Sequence, residues 1–141
     1  MITAALLAAL TEEFDEVLVG LVVFGSRIRN EHTATSDIDL LVAVSESVAV
    51  SRELYTRWDA AVGAVHTDAG VVAPHFAHLP SEDAAVGSLW LEVALHGVVV
   101  LDPTGVVART LARVRNRIAA GEVQRRAAYG HPYWVQVGRR A

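Results

Sequence analysis

Apolar residues recur along the chain with two spacings, one typical of helices and one typical of buried strands. Near the N-terminus they fall at helical spacing, which predicts an amphipathic helix over one face of a sheet, formed by Ile2, Leu6, Leu7, Leu10, Phe14 and Val17. Nearly continuous apolar runs from Leu18 to Phe24 and from Ile38 to Val44 predict two buried strands. A polar loop joins these two strands.

Helices and strands continue to alternate through the rest of the chain. Apolar residues at helical spacing predict three further helices, over residues 51–65, after a turn at 79–83, and over 106–120. Short apolar runs predict two more strands, over 69–73 and 97–102, and we expect Pro74 to end the first of them. Residues 130–137 alternate weakly, which predicts an edge strand or an arm on its own domain, with docking on a partner as the alternative. The order predicts an α/β (α+β) fold, a mixed sheet of four or five strands with helices packed over it.

Length and composition restrict the class of protein. A chain of 141 residues is long enough for one domain with a hydrophobic core, so we predict a single domain over residues 1–141. The content of 52% apolar and 20% charged residues argues against disorder. Because there is no cysteine, disulfides and thiolate zinc sites are excluded, which is consistent with a cytoplasmic protein. The apolar N-terminus lacks a basic flank and is too short to span a membrane.

Positive charge is concentrated in the C-terminal part of the chain. Eight arginines and one acidic residue, Glu122, follow Asp102, whereas four arginines and fifteen acidic residues lie up to that point. The basic helix and tail, about residues 103–141, suit phosphates, nucleic acid or an acidic protein partner. They equally fit a helix whose arginines lie on its solvated face. The chain has no lysine, so every basic contact is made by a guanidinium group.

The loop between the first two strands carries the clearest candidate chemistry. Asp37 and Asp39 are two positions apart at the start of a strand, so we expect both carboxylates on one face. Paired carboxylates repel each other unless a cation lies between them, and such oxygen ligands suit Mg²⁺ with a substrate phosphate. Across the loop, Gly25 allows close approach of a phosphate and Ser26 supplies a hydroxyl and an amide. The alternative is an ordinary turn followed by two solvated charges.

The order Gly25-Ser26, ten residues, then Asp37-Ile38-Asp39 resembles the signature of the polymerase-β-like nucleotidyltransferases. The likeness is greatest to the minimal nucleotidyltransferases, small single-domain proteins of prokaryotes. Their common form is Gly-Ser-x-Ala-Arg-Gly, and the stretch Gly25-Ser26-Arg27-Ile28-Arg29-Asn30 keeps the arginine but not the alanine or second glycine. The resemblance implies that ATP or another nucleoside triphosphate binds through Gly25 and Ser26, with Arg29 or Arg27 on its β- and γ-phosphates.

Further candidate ligands lie on and after the third predicted strand. The resemblance implies a third carboxylate that completes a site for two Mg²⁺ ions with Asp37 and Asp39 and serves as base, and Asp68 is the candidate. The alternative is that Asp68 caps a turn, in which case the protein binds nucleotide without transferring it. His75 and His78 are in a predicted loop, and because His-x-x-His alone is weak evidence for zinc, we interpret them as loop or partly buried histidines.

The resemblance also implies a function. Minimal nucleotidyltransferases transfer a nucleoside monophosphate by in-line attack at the α-phosphorus, and many are antitoxins that transfer AMP from ATP to a side chain of a HEPN-type ribonuclease toxin. Our leading hypothesis is therefore a Mg²⁺-dependent nucleotidyltransferase with such a toxin as protein partner. Two alternatives remain open. One is a small-molecule nucleotidyltransferase like those that modify aminoglycosides, and the other is a non-catalytic module that binds a nucleotide or a partner.

Overall fold

A mixed four-stranded sheet forms the centre of the protein. The structure is a computed structural model that describes residues 2–25, 37–63, 65 and 71–137. The strands of the sheet are β1 (Leu18–Phe24), β2 (Ile38–Val44), β3 (Val72–Ala77) and β4 (Val98–Leu101), arranged in the order β3-β2-β1-β4. β1 pairs antiparallel with β2 and with β4, whereas β2 pairs parallel with β3. The predicted fold class is confirmed, and both strands that border the loop begin and end as the apolar runs predict.

Helices cover both faces of the sheet. α1 (Ala4–Phe14) and α2 (Arg52–Ala61) lie on one face, and α3 (Ser88–His96) and α4 (Val106–Ala119) lie on the other. Alternate residues of β2 enter the two cores. The first core contains Leu6, Leu10, Phe14, Ile38, Leu40, Leu54 and Trp58, and the second contains Val22, Phe24, Leu41, Trp90, Leu91, Val93 and Leu111. Burial on both faces explains why β2 is apolar almost throughout.

Pro74 lies inside β3 and does not end it, so a strand is present as predicted but its predicted end before Pro74 is wrong. β3 is an edge strand of the described sheet, with Pro74 in register with Leu40 of β2. A proline lacks the N–H group that a central strand needs, but at an edge that group has no ladder partner to lose. The strand therefore continues through Pro74 and carries His75 with it.

The third helix starts later than the sequence predicts. Ser81 Oγ does accept a hydrogen bond from the Ala84 backbone N–H at 3.2 Å, as expected of the turn. Residues 84–87 are nevertheless not helical, and Gly87 is the N-cap of α3. The low helix propensity of glycine accounts for a boundary at this point.

The C-terminal residues form a β-hairpin of which the sequence predicts only the second strand. β5 (Val123–Ala128) pairs antiparallel with β6 (His131–Gln136), and the intervening Tyr129 and Gly130 have φ values of 51° and 79°. Positive φ at both central residues is the hallmark of a type I′ turn. Trp134 of β6 packs against the second core, so the hairpin is an arm on its own domain.

No helix in the described part of the chain is long and apolar enough to cross a membrane.

Arg57 of α2 connects that helix to the end of α1. Its Nε donates to Glu13 Oε1 at 2.9 Å, and its Nη2 donates to the Glu13 carbonyl oxygen at 2.6 Å and to Glu16 Oε1 at 2.9 Å. The guanidinium also lies over the ring of Phe14, 4.9 Å from its centroid. Hydrogen bonds raise the pKa of Arg57, first that to Glu13 and then that to Glu16. These contacts hold α1 and α2 together above the first core.

Replacing Arg57 should destabilise the fold. We expect Arg57→Ala to lower the free energy of unfolding by about 1–3 kcal/mol, because hydrogen bonds to charged groups and a packed side chain are lost together. Arg52→Ala is the matched control, since Arg52 is exposed at the start of the same helix. It should change the free energy by about 0.5 kcal/mol or less. Urea unfolding followed by circular dichroism measures the free energy of both variants. Equal losses would contradict the role of Arg57 in holding α1 and α2 together.

Candidate functional site

The pairing of β1 with β2 creates the candidate site. Phe24, the last residue of β1, is in register with Asp39 of β2. Ile38 and Leu40 are fully buried in the first core, so Asp39 faces the other side of the sheet. Asp37 immediately precedes β2 and is exposed, whereas the side chain of Asp39 is 29% exposed. A partly covered carboxylate therefore lies at the end of two buried strands.

Gly25 is in direct contact with Asp39. Its φ is +92°, a conformation that residues with a Cβ rarely adopt. A Cβ added at Gly25 would overlap the Oδ2 atom of Asp39. Glycine is thus required here both by the backbone conformation and by the space that the carboxylate occupies. The structure thus places Gly25 against the second aspartate of the candidate pair.

His75 is a contact of Asp39 that the sequence does not predict. The Nε2 atom of His75 lies 3.0 Å from Asp39 Oδ1, within hydrogen-bonding distance. The ring of Phe24 packs edge-on against the imidazole, with 5.2 Å between the ring centroids. Because Phe76 enters the first core, its neighbour His75 faces the side of the sheet that carries Asp39. The alternation of β3 would have revealed this neighbour had the strand been continued through Pro74.

His78, the other histidine of the His-x-x-His pair, has a different environment. It follows β3, and its Nε2 lies 2.6 Å from the carbonyl oxygen of Val48. Its own carbonyl oxygen accepts a hydrogen bond from Trp90 Nε1 at 3.0 Å. The two histidines therefore have separate partners, and both are partly buried.

The donor set fits a hard divalent cation. Asp37 and Asp39 offer carboxylate oxygens, the ligands that Mg²⁺ prefers, and Asp39 presents Oδ2 beside Gly25 while Oδ1 bonds His75. In the described ranges, no three histidine, aspartate or glutamate side chains come together as a metal site. β3 itself contains no carboxylate, and Ala73 is the residue in register with Asp39.

Four of the predicted site residues lie outside the described residues. They are Ser26, Arg27, Arg29 and Asp68. Among the predicted site residues that the structure describes, Gly25 and Asp39 are in contact, and Asp37 is two positions before Asp39 in the sequence. The contacts of the other four residues remain predictions.

The arginines of the C-terminal region donate hydrogen bonds to the protein itself. Arg117, for example, donates to Glu122 Oε2 at 2.8 Å and to the Ala84 carbonyl oxygen at 3.0 Å. Each arginine between residues 103 and 137 has at least one such acceptor: Arg109, Arg113, Arg115, Arg117, Arg125 and Arg126. These contacts favour a structural role for this part of the basic region, which fastens α4 and the hairpin to α3 and the preceding loop.

The chain is similar to known proteins in sequence and in fold. Residues 5–74 match the family model described as a nucleotidyltransferase domain. The chain is also similar to a chain in a crystal structure of a toxin-antitoxin with AMP-PNP, with 15% sequence identity and a TM-score of 0.52 over 82% of this chain and 88% of that chain. At this identity the likeness shows the fold alone. None of the curated proteins matches the sequence. The matched residues include Gly25, Asp37 and Asp39, and they support the nucleotidyltransferase superfamily.

Gly25→Ala should destabilise the protein more than Gly121→Ala does. At Gly121 φ is +80° and nothing lies within 4 Å of an added Cβ, so that variant measures backbone strain alone. We expect strain to lower the free energy of unfolding by about 1–2 kcal/mol at either glycine. At Gly25 the overlap with Asp39 should add about 1 kcal/mol or more. Equal losses in urea unfolding would show that the glycine and the carboxylate are not in contact.

Proposed function

We propose that the protein is a Mg²⁺-dependent nucleotidyltransferase that moves a nucleoside monophosphate, AMP from ATP, to a hydroxyl group of a protein partner. The observation that carries the proposal is the contact of Gly25 with Asp39, at the ends of two paired strands, inside the span that matches a nucleotidyltransferase domain. Such a contact brings a backbone that can approach phosphate next to a carboxylate that can hold a metal ion.

The roles of the residues follow from their chemistry. In the proposal Asp37, Asp39 and Asp68 hold one or two Mg²⁺ ions, which neutralise phosphate charge when bound. Gly25 and Ser26 bind the triphosphate through backbone and hydroxyl groups, and Arg29 or Arg27 binds its β- and γ-phosphates. The acceptor oxygen forms a bond to the α-phosphorus, pyrophosphate leaves, and the acceptor proton goes to Asp68. Asp68, Ser26 and the two arginines enter from the sequence motif.

His75 is assigned a positioning role. Its hydrogen bond to Asp39 Oδ1 limits rotation of the carboxylate, and the Phe24 ring limits the movement of the imidazole. The other oxygen, Oδ2, then stays next to Gly25. Partners of this kind fix the orientation of metal ligands, and losing them weakens metal binding.

The proposed partner is a HEPN-type toxin, with the protein acting as its antitoxin in the cytoplasm. Support for a protein partner comes from the fold shared with a chain of a toxin-antitoxin structure. One observation favours a second candidate, a non-catalytic module that binds nucleotide or partner. The residue of β3 in register with Asp39 is Ala73, so β3 supplies no third carboxylate at that position.

Removal of either carboxylate should abolish transfer. We expect Asp37→Asn and Asp39→Asn each to lower Mg²⁺-dependent incorporation of label from α-³²P-ATP into a copurifying protein by about a hundredfold or more, because charge stabilisation is lost. Asp15→Asn, an exposed residue at the end of α1, is the control with the same charge change and should retain full incorporation. If the wild type and all three variants neutralise the partner and none of them labels it, the non-catalytic module is favoured.

Removal of the His75 side chain should weaken the response to metal. We expect His75→Ala to raise the Mg²⁺ concentration for half-maximal incorporation by about tenfold, because Asp39 loses the bond that orients it. His78→Ala is the control, since His78 bonds Val48 instead. A Mg²⁺ dependence of the His75 variant equal to that of the wild type would remove the positioning role.

A further inference from the structure

A cleft of about 710 Å³ lies between α3 and the C-terminal hairpin, outside the residues assigned so far. We name it the hairpin cleft. Its lining includes Phe24, Ser88, Arg125, Tyr133, Trp134 and Gln136. Its volume is within the range of about 300–1,000 Å³ that is usual for small-molecule sites.

The hairpin cleft adjoins the candidate site through Phe24. This residue lines the cleft and is also the cross-strand neighbour of Asp39, and Gly25 follows it in the chain. Directly opposed residues of an antiparallel pair have Cβ atoms about 4.5–5.5 Å apart. The Phe24 side chain, which forms part of the cleft wall, is therefore directly next to Asp39, the carboxylate that the proposed function assigns to the metal.

The lining of the hairpin cleft suits a planar heteroaromatic ring. Three aromatic side chains line it, those of Phe24, Tyr133 and Trp134. Phe24 is buried, whereas Tyr133 is 44% exposed and offers the largest surface for stacking. Ser88 and Gln136 provide polar groups that can meet the edge of a nucleobase or the hydroxyls of a ribose. This mixture of apolar walls and a few polar groups is typical of ligand sites.

The wall formed by the hairpin is held in place before any ligand arrives. Trp134 Nε1 donates to Glu92 Oε1 of α3 at 3.1 Å, and Arg125 Nε donates to the same oxygen at 2.9 Å. Both strands of the hairpin are thus fastened to α3. Preorganisation of this kind reduces the entropic cost of binding.

We infer that the hairpin cleft binds the base and ribose of the nucleoside triphosphate, a step that rests on the proposed function. That function assigns the phosphates to Gly25, at the end of β1, and the cleft lies on the β1 side of Asp39. β3 lies on the opposite side of β2 from β1. A ribose links the α-phosphate to the base, so the base enters the space beside Phe24.

The test compares two ligands and two tyrosines of the hairpin. Tyr133 lines the hairpin cleft and is 44% exposed, whereas Tyr129 is fully exposed in the turn of the same hairpin. Isothermal titration calorimetry with Mg²⁺ measures binding of α,β-methylene-ATP, which retains the base, and of inorganic tripolyphosphate, which lacks it. We expect Tyr133→Ala to weaken binding of the nucleotide by about tenfold, a loss typical of one stacking contact. Binding of tripolyphosphate should be unchanged, and Tyr129→Ala should change neither ligand.

The outcomes separate this inference from the proposed function. Nucleotide affinity that is unchanged in Tyr133→Ala, or lost equally for both ligands, overturns the assignment of the cleft while leaving a phosphate site in place. Wild-type protein that binds neither ligand contradicts the proposed function and, with it, the cleft. A selective loss of nucleotide affinity in Tyr133→Ala, with Tyr129→Ala like the wild type, supports both.

Discussion

The register between β1 and β2 is the constraint on which the candidate site depends. It sets Phe24 opposite Asp39 and brings Gly25 against the carboxylate. The register is itself fixed by the core, because Ile38 and Leu40 are fully buried on one face of β2. A shift of one residue would turn Asp39 into the first core and a buried apolar residue toward the site. The burial of β2 on both faces therefore holds Asp39 in position at this end of the two central strands.

Sequence patterns predict the centre of the fold better than its periphery. The strands Leu18–Phe24 and Ile38–Val44 are apolar nearly throughout because both of their faces are buried, and that signal is strong. β3 is half exposed and contains Pro74, whose meaning depends on whether a strand is central or at an edge, and the sequence does not say which. β5 is exposed apart from Val123, so it lacks the alternation that marks a strand.

The candidate site divides in the same way between local and distant contacts. Gly25, Asp37 and Asp39 were recognised as candidates from the sequence because they belong to a short motif with fixed spacing. His75 and Trp134 were not, since each reaches the site region through pairing or packing of residues far apart in the chain. The arginines after Asp102 also show the limit of sequence patterns. Their number suggests a phosphate-binding surface, but those that the structure describes donate hydrogen bonds to oxygens of the protein itself. Asp68 remains a prediction from the resemblance to the minimal nucleotidyltransferases.

A crystal structure of the protein with Mn²⁺ and α,β-methylene-ATP would show whether Asp37, Asp39 and Gly25 form a metal and nucleotide site, because the anomalous signal of Mn²⁺ locates the metal independently of the nucleotide. We expect Mn²⁺ in coordination with the carboxylates of Asp37 and Asp39, and phosphates beside the backbone of Gly25. A well-occupied nucleotide bound elsewhere on the protein, with no Mn²⁺ at this pair of aspartates, would contradict it.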